Sequence, residues 1–136
     1  MFIYYFSRIE LPYELLAPAF GHDGSALIKQ AVPEGVESRA TVRCGPAVER
    51  EGVTVLPIRV EGGSRFRRLD ADVELALVES DLCQLTLSGS YEPALEASHG
   101  RGNNRTAHRV AEGFARDLID NLSARLAGVK PSSAAR

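Results

Sequence analysis

Residues 69–93, LDADVELALVESDLCQLTLSGSYEP, decide the fold. Leu69, Ala71, Val73, Leu75 and Leu77 are apolar, and Asp70, Asp72 and Glu74 fall between them, with Arg68 just before. A period of two with one apolar and one charged set marks a strand buried on one face and wet on the other. Ser80-Asp81 supplies a turn. The alternation resumes as Cys83, Leu85, Leu87 and Tyr91 against Gln84, Thr86, Ser88 and Ser90. Two long strands joined by so short a turn make an antiparallel hairpin. Glu92-Pro93 closes it, since proline cannot donate to a ladder.

Downstream the period changes. Residues 98–104, SHGRGNN, read as a loop or a frayed helix entry. Ala107, Val110, Ala111, Phe114, Ala115, Leu118, Ile119, Leu122 and Leu126 then keep a three-to-four spacing, which predicts one long amphipathic helix. Arg109, Glu112, Arg116, Asp117, Asp120 and Arg125 take its other side, and Gly128 ends it. The polar tail 129–136, VKPSSAAR, is expected to be mobile.

Upstream, the aromatic and β-branched MFIYYFSRIEL (1–11) suits a strand. Both alternate sets, Phe2/Tyr4/Phe6 and Ile3/Tyr5/Ile9, are apolar, so its inner face is open. Pro12 with Leu15, Leu16, Ala19 and Phe20 predicts a short helix stopping at Gly21. Asp23 then caps a second short helix carrying Ala26, Leu27 and Gln30, halted by Pro33 and Gly35. From Glu37 the period is two: Ala40, Val42 and Cys44 alternate with Arg39, Thr41 and Arg43, until Gly45-Pro46 interrupts. After the Glu51-Gly52 turn, Val53 to Glu61 is a strand with Thr54, Leu56, Ile58 and Val60 on one side. Pro57 within it implies an edge or an irregular register.

The chain has 136 residues, 44% hydrophobic and 25% charged, with a formal charge of −2. That is one domain's worth, expected over residues 1–128, with apolar residues enough for one core. Sixteen Lys and Arg against eighteen Asp and Glu give no cationic excess for nucleic acid. No apolar run nears the ~20 residues of a bilayer span. Cys44 and Cys83 have neither CxxC spacing nor a His cluster, and Met1–Phe6 lacks a basic signal-peptide start. These features point to a cytoplasmic protein with reduced thiols and neither metal nor cofactor. GRGNNR (100–105) lacks the third glycine and the flanking pattern of a phosphate-binding loop, though its arginines leave an anion at the helix start open. No GxSxG nucleophile motif occurs.

Strand, two short helices, a run of antiparallel strands and one long C-terminal helix is an α+β order. Three segments, IELPYELLAPAF (9–20), residues 69–93 and HRVAEGFARDLIDNLSARLA (108–127), resemble the START-like or SRPBCC superfamily. This is the helix-grip fold of birch-pollen-allergen relatives, polyketide cyclases and lipid-transport domains. The resemblance implies a curved antiparallel sheet of about five to seven strands wrapped around the C-terminal helix, with a cavity between them. It implies a hydrophobic or aromatic small molecule as partner, a lipid or polyketide-like metabolite. The inward residues Leu56, Ile58, Val73, Leu75, Leu87, Tyr91, Phe114 and Leu118 are the candidate lining.

Two other readings stay open. In a cyclase or dehydratase, Tyr91, His108 or Asp72 would supply the acid–base group. His108 stands at the edge of the helix's apolar stripe, and Asp72 faces water unless the strand register is inverted. In an interaction module, a homodimer being one form of it, the same apolar residues simply fill a core.

Overall fold

A computed structural model of the chain describes residues 1–33, 40–62, 66–93 and 103–128, with side chains from 105 onward in the last segment. Six strands and two helices follow in the order β1 (Phe2–Ile9), α1 (Tyr13–Ala31), β2 (Ala40–Cys44), β3 (Val48–Arg50), β4 (Val53–Gly62), β5 (Phe66–Glu79), β6 (Leu82–Pro93) and α2 (Asn103–Ala127). All pair antiparallel in one sheet of order β1-β6-β5-β4-β2, with β3 also on β4. The tail 129–136 and most of the expected SHGRGNN loop lie outside the described residues.

The hairpin forms as its alternation dictates. Leu69, Ala71, Val73 and Leu75 of β5 and Cys83, Leu85, Leu87 and Tyr91 of β6 are buried. Leu77 departs from this pattern and is 49% exposed, next to the register shift between Leu77 and Glu79 at the turn end of the hairpin. In β1 the inner set is Ile3, Tyr5 and Ile9, and Phe2, Tyr4 and Phe6 are exposed on the outer face. Inward residues line up across the sheet in rows, such as Tyr5, Leu87, Val73 and Leu56. Gly89 sits between Ile3 and Ala71. A Cβ there would stand 2.2 Å from the Asp70 carbonyl oxygen and 2.5 Å from Ala71 Cα. Only glycine admits so close an approach of two strands.

Pro57 does not make β4 an edge strand. Its carbonyl accepts from Gly45 N at 2.9 Å, on the side where the chain breaks between β2 and β3. The amide nitrogen of the same residue faces that break, where no ladder donor is needed.

The two short helices expected after β1 are a single 19-residue helix, α1, which runs through Gly21 and Asp23. One continuous buried stripe, Phe20, Gly24 and Ile28, outweighs the low helix propensity of glycine. A Cβ at Gly24 would come 2.9 Å from Leu56 Cδ2, so this glycine serves the packing of α1 on β4. Leu16, Ala17, Phe20, Ile28 and Ala31 complete the buried stripe.

The closing helix α2 packs on β1, α1 and β6. Ala111, Phe114, Ala115, Leu118, Ile119, Leu122 and Leu126 have no exposed surface. Burying each larger side chain contributes about 1.5–3 kcal/mol. Polar contacts fix the helix: the Tyr5 hydroxyl donates to Asp120 at 3.1 Å, and Asn121 Nδ2 donates to the Ala31 carbonyl at 3.0 Å. The latter occupies an acceptor that the end of α1 leaves free.

Candidate functional site

Leu56, Ile58, Val73, Leu75, Leu87, Tyr91, Phe114 and Leu118 all belong to one core cluster on the inner side of the sheet and helix. A void wide enough for water leaves accessible area on its walls. Val73, Leu75, Leu87, Phe114 and Leu118 show 0%, so side chains fill the space beside them.

The chemistry collects at the start of α2. Phe66 packs edge-on against both Tyr91, with ring centroids 5.8 Å apart, and Phe114, at 5.1 Å. Tyr91 is 3% exposed, and its hydroxyl lies 2.9 Å from His108 Nδ1. On the other side of the imidazole, Nε2 stands 3.4 Å from Glu112 Oε2, one helical turn on. The carboxylate favours the proton on Nε2. Nδ1 is then the acceptor for the Tyr91 O–H. Burial raises the Tyr91 pKa, and the Glu112 charge raises it further. The phenol therefore stays protonated and serves as a hydrogen-bond donor or weak acid.

His108 and Glu112 also form one wall of a surface depression of about 610 Å³, together with Met1, Phe2, Arg105 and Arg109. The start of β1 is held there by a pair of backbone bonds. Met1 N donates to the Tyr91 carbonyl at 3.2 Å, and Tyr91 N donates to the Met1 carbonyl at 2.8 Å. His108 is thus shared between the buried aromatic cluster and an open apolar hollow.

The three acid–base candidates separate. Tyr91 and His108 are brought together. Asp72 is exposed on the outer face, paired across the strands with Pro57 and Ser88, beside a shallow depression of about 400 Å³. Its register is the one the alternation predicts, so it does not enter the core. Glu112 is a partner that sequence reading passed over, although its i,i+4 spacing from His108 is visible in HRVAE. A second polar group was also unforeseen. The Tyr13 hydroxyl lies 2.6 Å from Thr54 Oγ1 and 3.4 Å from Glu49 Oε2. Thr54, at 1% exposure, needs that partner.

Cys83 is buried and donates to the Leu11 carbonyl at 3.3 Å, and burial raises its pKa, so it is a packing thiol. No group of three or more His, Cys, Asp or Glu side chains comes together among the described residues. No helix among them is long and apolar enough to cross a membrane.

No protein-family model matches the chain, and no curated protein matches it. Solved structures do. A START superfamily protein from Mycobacterium smegmatis superposes with a TM-score of 0.60 at 12% identity, covering 95% of this chain and 99% of that one. A conserved protein from Geobacillus kaustophilus gives 0.61 at 16%, covering 93% and 95%. Norcoclaurine synthase from Thalictrum flavum, solved with dopamine and hydroxybenzaldehyde, gives 0.54 at 13%, covering 96% and 88%. An open antiparallel sheet of six strands closed by a C-terminal helix, matched over nearly the whole length of a START superfamily protein and of norcoclaurine synthase, shows that this chain has the helix-grip fold.

Proposed function

We propose that this chain is a small START-like binding domain for a hydrophobic or aromatic molecule, a lipid or polyketide-like metabolite. The ligand enters at the start of α2 rather than along the filled middle of the core. The observation that carries this reading is the position of His108, bonded to buried Tyr91 on one side and lining the 610 Å³ hollow on the other. An apolar surface with one or two fixed polar groups is how small-molecule sites combine affinity with orientation. Burying a ligand's apolar area there yields about 25 cal/mol per Å². Similarity in fold to a synthase whose structure holds two small aromatic molecules supports the ligand class.

The test is native mass spectrometry of the protein from its own host for a co-purified small molecule. It is followed by NMR titration with that molecule or with a naphthalene probe. Saturable shifts at residues 105–112 and Tyr91 are expected. Saturable binding that leaves these residues unmoved, or no saturable binding, overturns the reading.

A cyclase or dehydratase activity is the second reading, and the Tyr91–His108–Glu112 line is what favours it. Glu112 orients the imidazole, and the Tyr91 oxygen takes a substrate proton as its own passes to His108 Nδ1, the reverse path returning it. In that case His108→Ala abolishes turnover of a polyketide-like substrate while binding persists. No turnover by the wild-type protein leaves binding alone.

A further inference from the structure

The hollow at the start of α2 is not simply apolar. Arg105 and Arg109, one turn apart, stand on its helix side with His108 and Glu112, while Met1 and Phe2 supply the opposite wall. Phe2 is 63% exposed and borders both this hollow and the outer-face depression, so part of its aromatic surface lies open beside two guanidinium groups. Neither arginine is in an ion pair among the described residues. The one carboxylate in the hollow, Glu112, is turned to His108 at 3.4 Å. With His108 neutral, the lining side chains sum to one net positive charge, and the Met1 ammonium beside them adds a second.

Arg105 lies in the first turn of α2, which carries no acidic residue. A cation there opposes the macrodipole, an effect confined to that turn. Two guanidiniums without an ion-pair partner among the described residues therefore favour the same missing charge, and arginine's planar fork matches an oxyanion.

Resting on the binding reading above, we infer that the hollow takes an amphipathic anion. Its aromatic or aliphatic body lies on Met1 and Phe2, and its oxyanion head, carboxylate or phosphate, lies between Arg105 and Arg109. This gives the ligand a polarity and an orientation that the fold alone does not assign.

Three matched probes test it: 2-naphthoate, 2-naphthyl phosphate and the neutral 2-naphthamide. Each is titrated by NMR and calorimetry at low and at high salt. Exposed ion pairs give modest gains, so at least one anion is expected to bind roughly three- to tenfold more tightly than the amide. The advantage shrinks in salt. It is lost in Arg105→Gln/Arg109→Gln and kept in the Arg105→Lys/Arg109→Lys pair, whose folding is checked by thermal melt. Whichever anion binds more tightly names the head group. If the amide binds this hollow as tightly as both anions, or the glutamine pair keeps the preference, the inference fails and the binding reading stands. If none of the three binds there, the binding reading fails and this inference with it.

Discussion

The Tyr91 hydroxyl stands 2.9 Å from Nδ1 of His108, joining the last strand of the sheet to the half-exposed start of α2. The two partners do not lose equally when the bond is cut. Tyr91→Phe keeps the ring against Phe66 and leaves Nδ1 to water, at a cost of about 0.5–1.5 kcal/mol. His108→Ala leaves a buried hydroxyl unpaired, at about 1–3 kcal/mol. Urea denaturation of both single variants and the double variant should show His108→Ala as the more damaging, with the double variant less unstable than the sum. Strict additivity would mean that the bond carries no energy.

The two glycines Gly89 and Gly113 should respond in opposite directions to alanine. A Cβ at Gly89 meets backbone atoms of Asp70 and Ala71, which cannot move without parting β5 from β6. At Gly113, in the middle of α2, the nearest atom to a Cβ is the far end of Arg116, 3.8 Å away. Gly113→Ala should raise stability by roughly 0.5–1 kcal/mol through helix propensity. Gly89→Ala should lower it by about 3 kcal/mol or more, at the upper end of overpacking. Thermal melts of the two proteins side by side decide the matter.

What the sequence made legible follows the strength of its periodicities. The hairpin and α2 are read correctly because burial on one face leaves an alternating or three-to-four trace in every residue. β1 is read as a strand but its inner face is not, since Phe2, Tyr4 and Phe6 are as apolar as Ile3, Tyr5 and Ile9, and only pairing with β6 and contact with α2 decide which set turns inward. The split of α1 into two helices misreads Gly21 as a stop and Asp23 as a cap, and Gly24 stands in the same stretch. The reason for Gly24 lies 32 residues later, in Leu56. At the site, His108 and Tyr91 are recognisable one by one as polar groups at the margin of apolar stripes. Their contact is set by how β6 meets α2, which no local pattern encodes.

Alkaline pH should lower the stability of this protein in two overlapping stages. Burial raises the pKa of Cys83 above its ordinary 9.0, and those of Tyr13 and Tyr91 above 10.0. Below about pH 9 these groups are protonated in both folded and unfolded chains, and their contribution to stability is fully present. As pH rises, the unfolded chain releases its protons first, so stability falls until the folded-state pKa values are passed. Denaturation midpoints measured from pH 7 to 11 should be flat for these groups and then decline. Cys83→Ala should remove the earlier part of the decline, and an unchanged profile in that variant would place its origin in the tyrosines alone.

Leu118 tests whether the middle of the core is as full as its burial says. It has no exposed surface and belongs to the same buried cluster as Leu87, Val73 and Phe114. Leu118→Ala should cost about 2–5 kcal/mol, the transfer term plus the cavity term of a site that cannot collapse. Asp72→Asn, on the wet face of β5, should stay within about 0.5 kcal/mol. A dry apolar cavity of this kind takes up small apolar molecules, so the variant should gain saturable affinity for benzene or xenon, seen as shifts in the Leu87 and Val73 methyl signals. The wild-type protein should show no such shifts with those probes, because its core side chains already occupy the volume. If wild type and variant bind benzene alike at these methyls, the core already yields to a guest, and the ligand's place moves from the start of α2 to the space between sheet and helix.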